Sequence, residues 1–253
     1  MHNSIIDIHT HPSCSDPDIC GTMIRLSHCY GMSRICLLGD VLAFGYDPDE
    51  KQIRTINDTT IQTVEAHPEL FLGFCHLNPS HSTAFILKEL DRCITEHGLS
   101  GIKLEVSVNA RDERLDPLMH RARELGVPVL HHAWYKTGSR AFNESTPADI
   151  ADLAFRFPDV TIIMAHLSGG GVQGIHDVKP HSNVYVDTSG SQPVSGMVEY
   201  AVHVLGSQRI VYGSDAPIRD FSSQIGRIRG ASITEKQRDR ILCSNAKKIF
   251  RLD

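Results

Sequence analysis

Only 6% of the 253 residues are aromatic, and a single tryptophan, Trp134, is among them. No apolar run is long enough to cross a bilayer, which excludes a helical membrane span. With a formal net charge of −5 and no basic stripe, nucleic acid is not an expected partner. The seven cysteines are odd in number and include no C-x-x-C spacing, which argues against a disulfide framework. Most read as buried thiols acting as small hydrophobes. Cys14 and Cys20 differ, because they flank the loop directly after His11 and can approach a site formed there. The first strand begins near Ser4 and leaves no room for a signal peptide, so a cytoplasmic protein is expected. Also missing is a Gly-rich phosphate turn after that strand. His-Thr-His-Pro stands there instead, which argues against a doubly wound open sheet.

What is present is a regular rhythm of short apolar runs and amphipathic segments. Strands are predicted over Ser4–His9, Ser33–Leu38, Leu70–Leu77, Gly101–Val106, Val127–His132, Val160–Ala165, Val184–Asp187 and Ile210–Gly213. Helices are predicted over Asp18–Tyr30, Pro48–Ala66, Thr83–Glu96, Pro117–Leu125 and Pro147–Phe157, near Val172, and over Val194–Leu205 and Thr234–Phe250. Such an alternation over this length predicts an α/β protein, a (β/α)8 TIM barrel forming one domain across residues 1–253. Barrel enzymes carry their chemistry where strands end, so reactive groups are expected at the strand ends.

Metal-binding residue types gather at those ends. His9 and His11 lie two apart at the end of the first strand, so they project to one side and can grip one ion. His131 and His132 are adjacent and point to opposite faces; His132 shares parity with Leu130 and is the one expected inside. His166 ends strand six before a run of three glycines. Asp215 ends strand eight, either as a carboxylate ligand beside the histidines or as the cap of a helix starting near Pro217. Asp187 is a weaker ligand candidate that can instead orient a neighbouring histidine. Lys103 points into the barrel, where it must be paired or modified. It either pairs with Glu105 or becomes carboxylated and bridges two ions.

At these residues the chain resembles the amidohydrolase superfamily, and within it the amidohydrolase-related (amidohydrolase 2) branch. The likeness rests on Ile-Ile-Asp-Ile-His-Thr-His, Gly-Ile-Lys-Leu, Pro-Val-Leu-His-His, Ala-His-Leu-Ser-Gly-Gly, Asn-Val-Tyr-Val-Asp-Thr-Ser-Gly and Tyr-Gly-Ser-Asp-Ala-Pro. It implies that His9, His11, His132 and Asp215 coordinate a divalent metal, zinc first and manganese as the alternative, with one or two ions. His166 then binds a second ion or holds the substrate or the attacking water. Glu105 departs from the family's frequent Gly-x-Lys-Leu-His-Pro and puts the number of ions in doubt.

The expected activity is hydrolysis of an ester, lactone or amide-like bond of a small molecule, with Asp215 taking a proton from metal-activated water and His166 polarising the carbonyl. The alternative is non-oxidative decarboxylation of an aromatic or muconate-type acid, to which the His132-Ala-Trp134 stretch is similar. A barrel with a vestigial site and no turnover is the remaining reading. Trp134 is either a wall of the substrate pocket or rim packing. Lys136, Arg140 and Arg219 follow strands five and eight and can meet a substrate carboxylate. The loops are short, so no large lid is expected, and the sequence leaves a homo-oligomer open.

Overall fold

The eight apolar runs become eight parallel strands in the order β1 to β8, each hydrogen-bonded to its sequence neighbour. The computed structural model describes residues 4–12, 18–41, 43–136, 138–139, 141–190 and 194–252. Cys14 and Arg140 lie outside these described residues. The strands are β1 (Ile5–Thr10), β2 (Met32–Leu37), β3 (Phe71–Leu77) and β4 (Gly101–Leu104), then β5 (Val129–His131), β6 (Ile162–Met164), β7 (Val184–Asp187) and β8 (Ile210–Val211). The sheet closes on itself beyond these pairings. Ile8 N donates to Tyr212 O at 3.0 Å, Asp215 N to His9 O at 2.8 Å and His11 N to Ala216 O at 2.6 Å. The result is a single-domain (β/α)8 barrel.

Helices fill the connections: α1 (Ile19–Tyr30), α2 (Glu50–Ala66), α3 (Thr83–Asp91), α4 (Asp116–Leu125) and α5 (Pro147–Arg156) in the first part of the chain. They are followed by α6 (Leu167–Val178), α7 (Met197–Leu205), α8 (Phe221–Arg229), α9 (Glu235–Asp239) and α10 (Asn245–Phe250). Local chemistry sets their ends. Asp49 and Gln52 form a reciprocal cap at the start of α2, and Thr146 and Asp149 do the same for α5, with Pro147 in its first turn. No helix among the described residues is long and apolar enough to cross a membrane.

Two apolar layers result from the alternation of strand side chains. Ile6, Ile8, Phe74, Leu130, Ile163 and Val211 fill the barrel interior, plugged by the ring of Phe250, which meets Phe74 edge-on at 5.8 Å. Residues of opposite parity, such as Ile5, Leu37, Ile102, Val129, Ile162 and Val184, pack outward against the helices. The polar strand-end residues lie above the interior plug.

The elements differ from the sequence expectations at several points; strands four, five, six and eight are shorter, and the helix expected over Thr83–Glu96 ends as α3 at Asp91, followed by a π turn over Arg92–Glu96. A helix after strand eight was expected only as the alternative in which Asp215 caps it near Pro217; α8 instead starts at Phe221 with Asp220 as its cap, although Phe-Ser-Ser-Gln-Ile-Gly-Arg-Ile-Arg has weak intrinsic helix propensity. It forms because burial of Phe221, Ile225 and Ile228 and a cap from Asp220 to Ser223 N outweigh that weakness. The closing helix is not one piece: a π turn over Arg240–Ser244 separates α9 from α10. That wider turn coincides with the Ile241 carbonyl accepting from Tyr212 N of the barrel at 2.9 Å. Helix α6 starts directly after His166, so Gly169 and Gly170 lie in its first turn, while Gly171, with φ 60° and ψ −163°, breaks it in a kink. Gly169 is required there, since a Cβ would come within 2.6 Å of the Trp134 ring. Finally, α7 starts at Met197 rather than Val194.

Candidate metal centre

Simple alternation does not by itself carry β1 to the site. Ile6 and Ile8 both belong to the interior cluster, and the pairing with β2 shifts register between Asp7 and Thr10. Asp7 Oδ1 accepts from His9 N at 3.0 Å inside this irregular stretch, and beyond it both His9 and His11 face the barrel mouth.

Hydrogen-bond partners fix the tautomers of these two rings. His9 Nδ1 lies 2.7 Å from Asp187 Oδ2, and a carboxylate only accepts, so Nδ1 carries the proton. His11 Nδ1 lies 3.2 Å from the Gly39 carbonyl oxygen and carries its proton for the same reason. Both Nε2 atoms are therefore bare lone pairs, and they face each other at 3.0 Å. Asp215 Oδ1 stands 3.6 Å from each of them. Three electron-rich atoms directed at one point repel unless a cation lies among them. The residues present thus fit a divalent ion with mixed nitrogen and oxygen ligands.

Electrostatics agree with that fit. Burial, reinforced by Lys103, pushes the His11 pKa well below its ordinary value. Burial and the neighbouring His132 and His9 do the same for His166. Both rings are held neutral, as ligation requires. Burial alone would raise the Asp187 pKa, but His9 beside it and its hydrogen bonds hold it well below the usual carboxylate range. Asp187 thus stays charged where it orients His9. Burial raises the pKa of Asp215.

His132 does not belong to the tight trio. Its Nε2 lies 2.7 Å from Glu144 Oε1, while its Nδ1 faces His166 Nε2 at 3.2 Å and Glu105 Oε2 at 3.6 Å. His166 in turn meets the Ser189 hydroxyl through Nδ1 at 2.9 Å. His166, Asp187 and His9 form a second group of closely placed donors, although the His9 atom on that side is engaged by Asp187. His166 and Asp215 both have left-handed backbone, φ 69° and 67°, which costs on the order of 1–3 kcal/mol each and occurs where a site over-determines the chain. His131 points away, its Nδ1 bonded to the His132 carbonyl, and burial lowers its pKa to about 4.

Lys103 is fully buried and pairs with Glu105 Oε1 at 2.8 Å. Burial works against the Glu105 charge, but Lys103 and His132 outweigh it and hold its pKa well below the ordinary value. Trp134 stacks on His132 with an interplanar angle of 18° and leans on His166 with centroids 5.2 Å apart. It lines a cavity of about 300 Å³ together with His11, His166 and Asp215. Cys20 sits on α1 with its thiol 4.0 Å from Thr63 Oγ1 on α2, in the helical layer rather than at the mouth.

Two contributors were not anticipated. Glu144 is 1% exposed and anchors both His132 and Lys136 Nζ, the latter at 2.9 Å. It lies in a loop without regular pattern, so spacing gave no sign of it. Ser189, two residues after Asp187, bridges Asp187 and His166; the Tyr-Val-Asp-Thr-Ser-Gly motif contained it without marking its role.

Known proteins agree with this architecture. 2-Amino-3-carboxymuconate-6-semialdehyde decarboxylase of Dictyostelium discoideum is 24% identical over an alignment that covers 78% of this chain and 66% of that protein. γ-Resorcylate decarboxylase of Polaromonas sp. is 23% identical, covering 79% of this chain and 76% of that one. The chain thus spans just under two thirds of the first relative's length. Among solved structures, dihydroxybenzoic acid decarboxylase from Polaromonas sp., with bound manganese and the inhibitor 2-nitroresorcinol, superposes with a TM-score of 0.78 at 18% identity, covering 99% of this chain and 97% of that one.

These relatives are lyases, and they overturn the expectation of ester, lactone or amide hydrolysis. An Asp215 that accepts a proton from an attacking water has no place in a decarboxylation. Zinc is likewise not singled out, since two imidazoles and a carboxylate suit manganese as well, and the solved neighbour holds manganese. The amidohydrolase family profile matches residues 6–252, nearly the whole sequence, and the chain belongs to that family.

Proposed function

We propose that the protein is a metal-dependent, non-oxidative decarboxylase of a small aromatic or muconate-type carboxylic acid. The observation that carries the metal is the pair of bare Nε2 atoms of His9 and His11, 3.0 Å apart, with Asp215 Oδ1 at 3.6 Å from both. The decarboxylating relatives direct the reading to this reaction rather than to hydrolysis. In this reading His9, His11 and Asp215 hold one manganese or zinc ion. Lys103 remains an unmodified ammonium, since Glu105 already neutralises it at 2.8 Å.

A divalent ion in this place withdraws electrons from the substrate oxygens it meets. In the reaction, the bond between the substrate carbon and its carboxylate carbon breaks and the electron pair stays on the substrate carbon. Carbon dioxide leaves, and a proton takes its place. The protein must therefore supply one proton inside a partly closed cavity. The His132–His166 contact is suited to that task. Its two ring nitrogens, 3.2 Å apart, attract only when a proton lies between them, and Glu144 has already taken the N–H on the far side of His132. His166, neutral at rest, takes up the shared proton only transiently and passes it to the substrate carbon, while Ser189 holds its ring in place. Trp134 forms a flat wall against which an aromatic or conjugated acid can lie.

The test is carbon dioxide release from hydroxybenzoates and muconate-type acids by protein loaded with manganese or zinc. Equimolar carbon dioxide and decarboxylated product are expected, with loss of turnover in His166→Ala. Cleavage of esters or lactones with no carbon dioxide from any acid in the panel would refute the reading.

A further inference from the structure

Among the described residues, the basic side chains around the cavity pair off with one exception. Lys103 faces Glu105 at 2.8 Å, and Lys136 faces Glu144 at 2.9 Å. Arg219 also lines the cavity, yet among the described residues it forms no ion pair. Its Nη1 donates only to the Ile218 carbonyl, at 2.9 Å, and its buried Nε has no hydrogen-bond partner. Two carboxylates share its loop: Asp220 caps α8 through Ser222 and Ser223, and Asp215, which the Arg219 guanidinium influences only through space, is turned to the imidazoles of His9 and His11. Arg219 is also held in place, because its backbone N–H donates to the Asp215 carbonyl oxygen at 2.9 Å. A guanidinium with a buried, unsatisfied donor beside the reaction centre is incomplete until an acceptor arrives.

We propose that Arg219 binds a carboxylate that the substrate retains, so that the preferred substrates are acids with two anionic carboxylates, of which one departs. This rests on the decarboxylase reading given above. The assignment to the retained group follows from the chemistry. A guanidinium clamped on the departing carboxylate would stabilise the ground-state charge that must vanish as neutral carbon dioxide forms, and it would slow the step. On the retained carboxylate the same contact is equally strong before and after bond cleavage. It anchors the substrate without opposing the reaction, and the guanidinium's planar fork matches a carboxylate.

The test is calorimetric binding of benzoate and of benzene-1,2-, 1,3- and 1,4-dicarboxylate to the manganese-loaded protein and to Arg219→Met. At least one dicarboxylate is expected to bind the wild type about 10- to 100-fold more tightly than benzoate, the range for a charge-assisted contact. In Arg219→Met that preference shrinks to about threefold or less, and Arg219→Lys retains part of it because a point charge replaces the fork. Arg219→Gln makes the same comparison if the Met variant does not fold. No preference for any dicarboxylate in the wild type, or a preference that survives in Arg219→Met and Arg219→Gln, overturns the assignment. A preference that depends on Arg219, with no carbon dioxide released from any acid, upholds Arg219 as the anchor while removing the decarboxylase reading.

Discussion

Replacing Asp187 by Asn probes the centre through a residue that is not itself in the donor trio. The Asp187 carboxylate is fully buried, with Oδ2 2.7 Å from His9 Nδ1 and Oδ1 accepting from His166 N at 2.9 Å and Ser189 N at 3.0 Å. Asn keeps the shape. Its carbonyl oxygen can go on accepting from the two backbone amides, which leaves its NH2 facing His9 Nδ1, donor against donor. The ring escapes that clash by moving its proton to Nε2, and the lone pair turned toward His11 and Asp215 is lost. Removing a carboxylate that orients a metal-bound histidine typically weakens metal binding by about 10- to 100-fold. With the wrong tautomer imposed, the upper end is expected, about 3 kcal/mol. Competition of manganese and zinc against a calibrated chelator measures the affinity directly. The same loss should appear as a smaller metal-induced rise in melting temperature, because ligand binding stabilises the fold by mass action. A dissociation constant within about threefold of wild type, well below the usual effect of such partners, would refute the tautomer argument.

Two further consequences concern the scaffold. His76 is buried on β3 with both ring nitrogens unpartnered, and burial lowers its pKa from 6.5 to about 4. Protonation is thus easier in the unfolded chain, so stability is full above pH 6.5 and falls as pH drops toward the folded value. In metal-free protein, His76→Leu should lose about 2 kcal/mol less unfolding free energy than wild type between pH 7 and pH 5; identical slopes in urea titrations would contradict this. Gly169→Ala would set a methyl group 2.6 Å from the Trp134 ring. The helix gain from alanine is about 1 kcal/mol and the overpacking cost about 1–3 kcal/mol, so Trp134 must shift. Emission from this sole tryptophan and the KM should both change, and an unaltered spectrum would show that the ring was not in contact.

Strand ends carried most of the legible information. A barrel strand is short, apolar and bounded by turn residues, so Ile162–Met164 or Val184–Asp187 stands out in the sequence, and the reactive residue follows at once. The His131/His132 choice was legible by parity with Leu130, because β5 is regular. Parity also paired His9 with His11, but not with the run before them, since the register shift in β1 leaves no sequence trace. That His132 stands outside the donor trio, although it was expected among the ligands, was not legible. Its ring is turned by Glu144, 12 positions away along an irregular loop, and only the folded chain brings them together. The bounds of helix α8 were not legible for a related reason: its stability lies in tertiary burial of Phe221, Ile225 and Ile228, not in local propensity.

The most direct measurement is anomalous scattering from crystals of the protein grown with manganese. One ion per chain is expected, bound by His9 Nε2, His11 Nε2 and an Asp215 carboxylate oxygen, with Lys103 unmodified. No ion at saturating manganese, or an ion held by other residues while His9, His11 and Asp215 stay unligated, would contradict it.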